Sequence, residues 1–245
     1  MTDVIFDIET GPLPIEQIKH LYTPPPPLPP FDESMVKYGN MKDPSKRADK
    51  LAQVRAEYEL QLANEQQSRD ADYAEWLGKA ALSPITGEVL AIGILVDGRK
   101  YVLGQEGETE AEMLSAFWKF YKKKNAESVR FIGFCSNMFD FSFIVWRSYF
   151  HSVGVPESAW DKTGRNPAYA FVDLIDRLPK RGFEIESRKL GDVCEWLGLG
   201  SKPEGVDGGM FAALWRGNAE SRAQAVHYLC NDLEMTKNLA QRMGV

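Results

Sequence analysis

The sequence predicts an α/β protein in which helices flank a mixed sheet, and three features point there. An apolar run opens the chain at "VIFDIE", a hairpin pattern follows at "GEVLAIGILVDGRKYVL", and beyond residue 109 short apolar runs alternate with amphipathic stretches. Hairpin-joined strands are antiparallel and strands joined through helices are parallel, so the combined pattern calls for a mixed sheet of five strands. With 245 residues, 44% of them apolar and 26% charged, the chain can bury one substantial core and still carry an insertion. We expect a single domain over 1–245, interrupted by a proline-rich and helical insertion at about 12–82.

The first strand is expected at about 3–8, with Gly11 and Pro12 ending it. "TPPPPLPP" at 23–30 suits a stiff polyproline II segment and reads as a spacer. Helical composition follows, and Leu51, Val54, Tyr58 and Leu62 make an apolar stripe that would pack on the domain or a partner. Strands at about 88–96 and 99–103 flank Asp97-Gly98, a two-residue turn signal. Thr109 and Glu112 then form a capping box for a helix with Met113, Phe117 and Phe120 or Tyr121 on one face. Lys122 to Lys124 complement that helix's dipole at its far end. "VRFIGFCS" is a fourth strand, "NMFDFSFIVWRSYF" a helix, and "YAFVDLI", at about 169–175, a fifth strand. Helices are expected at about 187–198 and 206–216. A last one runs from an Asn218 cap to about Met243, with Val226, Leu229, Leu233, Thr236 and Ala240 facing the core.

Composition narrows the function. A net charge of −6 argues against a general nucleic-acid coat protein but leaves room for a nuclease whose acidic centre is neutralised by divalent cations. Cys135, Cys194 and Cys230 lack metal-ligand spacing and read as small buried apolar residues of a reducing compartment. With no membrane-length apolar run and no signal segment, the expected location is the cytoplasm, without membrane attachment.

Asp7 and Glu9 alternate within an apolar run and so share one face of a strand. Two readings stand at this point: buried acids converging on a cation, or a short edge strand with its acids in water. Asp140, between Phe139 and Phe141 just past the fourth strand, is poorly explained as a solvated residue. Asp232 lies in the last helix with Tyr228 four residues earlier, nearly above it on the same side. Four carboxylates in one place repel unless cations lie among them, and hard oxygen ligands suit magnesium or manganese.

"FDIET", "FIGFCSNMFDFSFI" and "YLCND" resemble, in the family's order, the three motifs of the DnaQ-like, or DEDD, 3′–5′ exonucleases on the RNase H-like fold. The likeness is greatest to the proofreading domain of B-family DNA polymerases and to its stand-alone, often phage-borne, relatives. It covers about residues 3–10 and 83–243. The resemblance implies Asp7, Glu9 and Asp232 as ligands of a first divalent cation, Mg2+ or Mn2+. Asp7 would also reach a second, which Asp140 would help hold through water. It further implies hydrolysis from the 3′ end of single-stranded nucleic acid, DNA before RNA, with nucleoside 5′-monophosphates as products. An exoribonuclease and a non-catalytic nucleic-acid-binding relative are the alternatives, and a replication or recombination protein is a possible partner.

One branch of that family positions the attacking water with a histidine five residues before the last aspartate, the other with a tyrosine four before. His227 and Tyr228 fill both positions here, and helix geometry favours Tyr228: four residues back lies about 40° around the axis, five about 140°. Thr10 and Phe139 match positions that touch the terminal nucleotide in relatives, and Lys202 and Arg188 are placed to meet phosphates or to stand as solvated cations. The sequence departs from the pattern at Cys135, where relatives usually carry an asparagine. Asn137 could substitute only in a rearranged loop.

Overall fold

The described residues are 3–104, 107–127, 129–179, 189–203, 205 and 207–245 of a computed structural model. They form β1 (Asp3–Pro12), α1 (Ile15–Ile18), α2 (Pro44–Lys79), β2 (Gly87–Val96), β3 (Arg99–Leu103), α3 (Glu110–Ala126), β4 (Arg130–Gly133), α4 (Asp140–Phe150), β5 (Phe171–Asp173), α5 (Leu190–Trp196), α6 (Phe211–Trp215) and α7 (Ala219–Arg242). These fall into two compact units, one of residues 1–13 with 80–245 and one of residues 14–79.

In the first unit the strands lie in the order β3-β2-β1-β4-β5. β1 with β2 and β2 with β3 are antiparallel, whereas β1 with β4 and β4 with β5 are parallel, which makes the expected mixed sheet with its flanking helices. Asp97 and Gly98 both take positive φ, 51° and 73°, as a tight turn matched to strand twist requires. Side chains alternate across β1. Val4, Phe6 and Ile8 enter a core with Met113 and Phe117 of α3 and Phe143 of α4, while Ile5 packs on the other face with Val193 of α5 and Leu233 and Leu239 of α7. Each fully buried large apolar side chain here contributes roughly 1.5–3 kcal/mol.

Several elements depart from the sequence reading. β1 does not end before Gly11 and Pro12 but pairs through both, Gly11 with Glu88 and Pro12 with Gly87. The ladder shifts register between Glu9 and Thr10, and β4 accompanies β1 only over Asp3–Ile5, so Pro12 lies where that side of the strand has no partner to miss its N–H. β5 is confined to Phe171–Asp173, because Asp173 accepts the Ile175 N–H and turns the chain into a 3-10 segment. The helix expected from 187 lies partly outside the described residues, as does Arg188; α5 is described from Leu190. Of the cysteines only Cys194 is buried, while Cys135 and Cys230 are half-buried.

A second buried polar group ties α3 to α4. Arg147, 1% exposed, donates from Nε and Nη2 to Glu110 at 2.9 and 2.6 Å and from Nη1 to the Pro84 carbonyl at 3.1 Å. Glu110 also accepts the Val89 N–H at 2.8 Å and lies 2.6 Å from His151 Nε2. Burial alone would raise the pKa of Glu110, but the hydrogen bonds from Arg147, Val89 and His151 outweigh it and hold the carboxyl below its ordinary range.

The second unit is a hairpin of unequal arms. Tyr22 packs edge-on against Tyr73, Leu28 N–H donates to Glu65 at 3.1 Å, Phe31 meets Tyr58, and Glu33 pairs with Arg55. The proline-rich segment therefore runs antiparallel along α2, and it is a packed strap where the sequence suggested a spacer. A polyproline II chain has no internal hydrogen bonds to break, so its rings can cover a helix face without loss. The covered face follows Leu51, Val54 and Tyr58 and then continues through Glu65, Arg69 and Tyr73, whereas Leu62, expected on the stripe, is 48% exposed.

Candidate active site

Asp7 and Glu9 lie on the face of β1 that meets α7. The residue opposite Asp7 is Gly93, and a Cβ there would stand 2.9 Å from Leu229 and 3.0 Å from Leu233. Gly93 thus lets α7 pass close over the sheet, which carries Tyr228 and Asp232 to the acids of β1. Oxygens of Asp7, Glu9 and Asp232 lie within 4.8 Å of one another, the one such group among the described residues.

Asp140 reaches the cluster from the open edge of β1. β4 stops pairing at Ile5, and the Ile8 N–H donates instead to Asp140 Oδ1 at 2.9 Å. Asp140 is the first residue of α4, and the turn before it is held by Asp173, which accepts the Asn137 N–H at 2.9 Å. Asp173 is 4% exposed, and the sequence reading gives it no role beyond its place in the fifth strand. Its work is done through backbone N–H groups, which leave no residue-type signature.

Lys202 joins the site directly. Its ammonium donates to Tyr228 Oη and Asp232 Oδ2, each at 2.5 Å, and lies 4.3 Å from the Tyr228 ring centroid. Gly191 leaves room for its stem, since a Cβ there would come within 2.9 Å of Lys202 Cγ. The sequence suggests a phosphate-binding or solvated cation at Lys202; its ion pair with Asp232 is visible only in the structure. Tyr228 is 3% exposed and His227 lies on the more open side of the helix, as the helix geometry requires. Thr10 donates its hydroxyl to the Ala81 carbonyl at 2.7 Å, and Phe139 packs on Phe143 at 5.5 Å between centroids. Cys135 adopts φ 59°, a left-handed backbone that asparagine accepts more readily than cysteine. Asn137 has its side-chain oxygen buried without a hydrogen-bond partner.

Electrostatics at this cluster run against ionisation. Burial, then the charges of Asp140, Asp232 and Glu9, raise Asp7 well above the carboxylate range against the pull of Lys202. Burial and the Asp232 charge push Glu9 up to about 8, again opposed by Lys202. Asp140 is pushed up to about 7 by burial, with the Ile8 N–H and the hydrogen bond to Asp7 acting the other way. Burial also raises Asp232 in spite of Lys202. Lys202 itself keeps a raised pKa: burial opposes its charge, but Asp232 and Tyr228 outweigh that. Among the described residues, four acids face one ammonium. The remaining Asp232 oxygen, Oδ1, is buried with no hydrogen-bond partner. An orphaned carboxylate oxygen among three convergent carboxylates is a donor set that fits a divalent cation.

Such a site on this sheet is that of an RNase H-like nuclease fold, and the comparisons with known proteins agree. A family model of the RNase H superfamily matches residues 80–243, and the chain belongs to that superfamily. Among solved structures, the fold is similar to that of the family B DNA polymerase from the hyperthermophilic archaeon Pyrobaculum calidifontis, with a TM-score of 0.54 and 23% sequence identity. The match covers 67% of this chain and only 23% of the polymerase. Both findings fit the DnaQ-like resemblance of the three motifs. No curated protein matches the chain. Among the described residues no helix is long and apolar enough to cross a membrane.

Proposed function

We propose that this protein is a metal-dependent 3′–5′ exonuclease of the tyrosine-bearing DEDD branch, acting on single-stranded DNA ends. The observation that carries the reading is the convergence of Asp7, Glu9 and Asp232, the last with an unpartnered oxygen, while Asp140 bonds to Asp7 and Tyr228 shares the Lys202 ammonium with Asp232. DNA is preferred to RNA as substrate because the similar solved structure is a DNA polymerase.

In this reading Asp7, Glu9 and Asp232 would hold one divalent cation, Mg2+ or Mn2+, and Asp7 with Asp140 would serve a second. When bound, such ions activate water, neutralise the scissile phosphate and stabilise the leaving 3′ oxygen. The Tyr228 hydroxyl, pushed up to about 12 by burial and the Asp232 charge, stays protonated at neutral pH and can orient the attacking water without acting as its base. Lys202 fixes that hydroxyl and offsets one carboxylate, which leaves Asp232 Oδ1 for coordination. Phe139 and Thr10 would flank the terminal nucleotide. The water oxygen bonds to phosphorus, the bond to the 3′ oxygen breaks, and that oxygen leaves as a hydroxyl, giving a nucleoside 5′-monophosphate.

The test uses 3′-labelled and 5′-labelled DNA and RNA oligonucleotides with magnesium, manganese or chelator. Loss of the 3′ label as mononucleotide from DNA, with metal only, is the expected result. Preferential loss from RNA would move the substrate class, and binding without cleavage under every metal condition would reject the enzymatic reading.

A further inference from the structure

Charge in the second unit is sorted along its length. Residues 37–50 hold five cations, Lys37, Lys42, Lys46, Arg47 and Lys50, against Asp43 and Asp49. Residues 56–79 reverse the balance, with six acids against two cations. The antiparallel strap and a 36-residue helix, about 54 Å long at 1.5 Å per residue, put the cationic end far from the residues that join this unit to the rest of the chain.

Part of this charge is spoken for within the fold. Arg47 donates to the Met41 carbonyl at 2.7 Å and lies 5.6 Å from the Tyr38 ring centroid, and Asp43 accepts the Ser45 N–H at 2.9 Å. Lys37, Lys42, Lys46 and Lys50 make no hydrogen bond or ion pair among the described residues, and Lys42 and Lys46 stand exposed at the start of the helix.

This arrangement opposes helix electrostatics. The first turn of α2 carries no acid and does carry Lys46 and Arg47, whereas α3 has Glu110 and Glu112 in its first turn and Lys123 and Lys124 in its last. Cations at a helix start oppose the dipole, and Lys46 and Lys50, four apart on the same face, repel one another. Four such side chains within residues 37–50, where Asp43 and Asp49 are the acids, leave a local surplus of positive charge in a chain of net charge −6, and that surplus suits an anion supplied from outside. The apolar groove of this unit, lined by Pro29, Phe31, Met35 and Tyr58, includes none of the four lysines, so the lysines form a surface separate from it.

We propose that this lysine tip binds the phosphate backbone of the nucleic acid that the first unit degrades, as a second, sequence-independent anchor on the strand. The proposal rests on the nuclease reading for the identity of its polyanion, but its test is separate from cleavage. Fluorescence anisotropy with a labelled single strand of about 40 nucleotides, in chelator and across a salt series, would compare wild type with K37Q/K42Q/K46Q/K50Q and with K37R/K42R/K46R/K50R. The glutamine variant should bind about tenfold or more weakly, with a slope of log affinity on log salt smaller by about 0.7 for each phosphate that the tip no longer neutralises; the arginine variant should keep both. Hydrolysis of a nitrophenyl ester of thymidine 5′-monophosphate with manganese, which offers the tip no backbone, should be unchanged in all three. Equal affinity and slope in wild type and glutamine variant would overturn the proposal. Failure of wild type to hydrolyse either substrate would remove the nuclease reading while the anisotropy still decides the tip.

Discussion

Around Arg147 and around Asp7 the protein buries charge in two different ways. Glu110 meets a guanidinium, a ring nitrogen and a backbone N–H, and its carboxyl is held below the ordinary range. Asp7, Glu9, Asp140 and Asp232 share a single ammonium among the described residues, and all four are raised. The first group is closed: every charge has its counter-charge within the fold, and it fastens α3 to α4. The second is short of positive charge among the described residues, and burial makes that costly unless a cation completes it. A buried cluster with a deficit is thus the better guide to a functional centre than burial of charge as such.

Substitution at the two clusters should separate these roles. Asp7→Ala should lower exonuclease activity by about 10³-fold or more, equivalent to ~4 kcal/mol of lost transition-state stabilisation, while leaving the metal-free fold intact or more stable. Retained activity would sink the assignment of the acid cluster. Glu110→Gln should do the reverse. It strands Arg147 without its partner and should cost about 3–5 kcal/mol in denaturant unfolding, with kcat per folded molecule little changed below the transition. Should Glu110→Gln spare stability and abolish turnover, the two clusters would have to exchange roles.

Acidity gives the next contrast, because the two shifts have opposite signs. Carboxyls raised in the folded state hold protons that the unfolded chain has lost, so their contribution to stability is greatest below the ordinary carboxylate range. It declines as pH rises toward about 8, where Glu9 ionises. Glu110, lowered in the folded state, contributes above that range and loses its contribution as pH falls through it. Metal-free protein should therefore melt at lower temperature at pH 8 than near pH 5, by roughly 5 °C, at about 2–4 °C per kcal/mol for a chain of this size. Manganese should restore the loss, and more fully at the higher pH, since its ligands must be deprotonated. A melting temperature insensitive to manganese at pH 8 would count against the cluster as a cation site.

How much of this is legible depends on whether a residue contradicts its own element. Asp7 and Glu9 interrupt an apolar strand, Asp140 stands between phenylalanines, and Tyr228 lies one helical turn before Asp232, so each can be singled out ahead of any coordinates, while their meeting is what the resemblance of the three motifs implies. The β1 acids are also those of a central strand, which decides between the buried and edge readings left open by the sequence. Asp173 and the register shift after Glu9 could not be foreseen, because each acts through backbone hydrogen bonds that many sequences would satisfy. Lys202 is visible as a residue but not as a partner, since the loop that carries it has no periodicity to say where it folds. The proline strap escapes for a related reason. Its apolar rings look the same in a spacer and in a packed segment, and only the matching of Leu28, Phe31 and Glu33 to α2 distinguishes them.

The smallest expected effect probes the cluster's hydroxyl. Tyr228→Phe keeps the ring that packs on Phe211 and lies under the Lys202 ammonium and removes only the oxygen that accepts from it. Stability should hardly move, whereas kcat should fall about tenfold or more, because the water would lose the group that orients it. His227→Ala, on the more open side of the same helix, should change kcat by less than about twofold. The pair is informative because the two residues are neighbours in sequence and differ only in which way α7 turns them. If the histidine variant were the slow one, the branch assignment would be wrong even with every acid in its place.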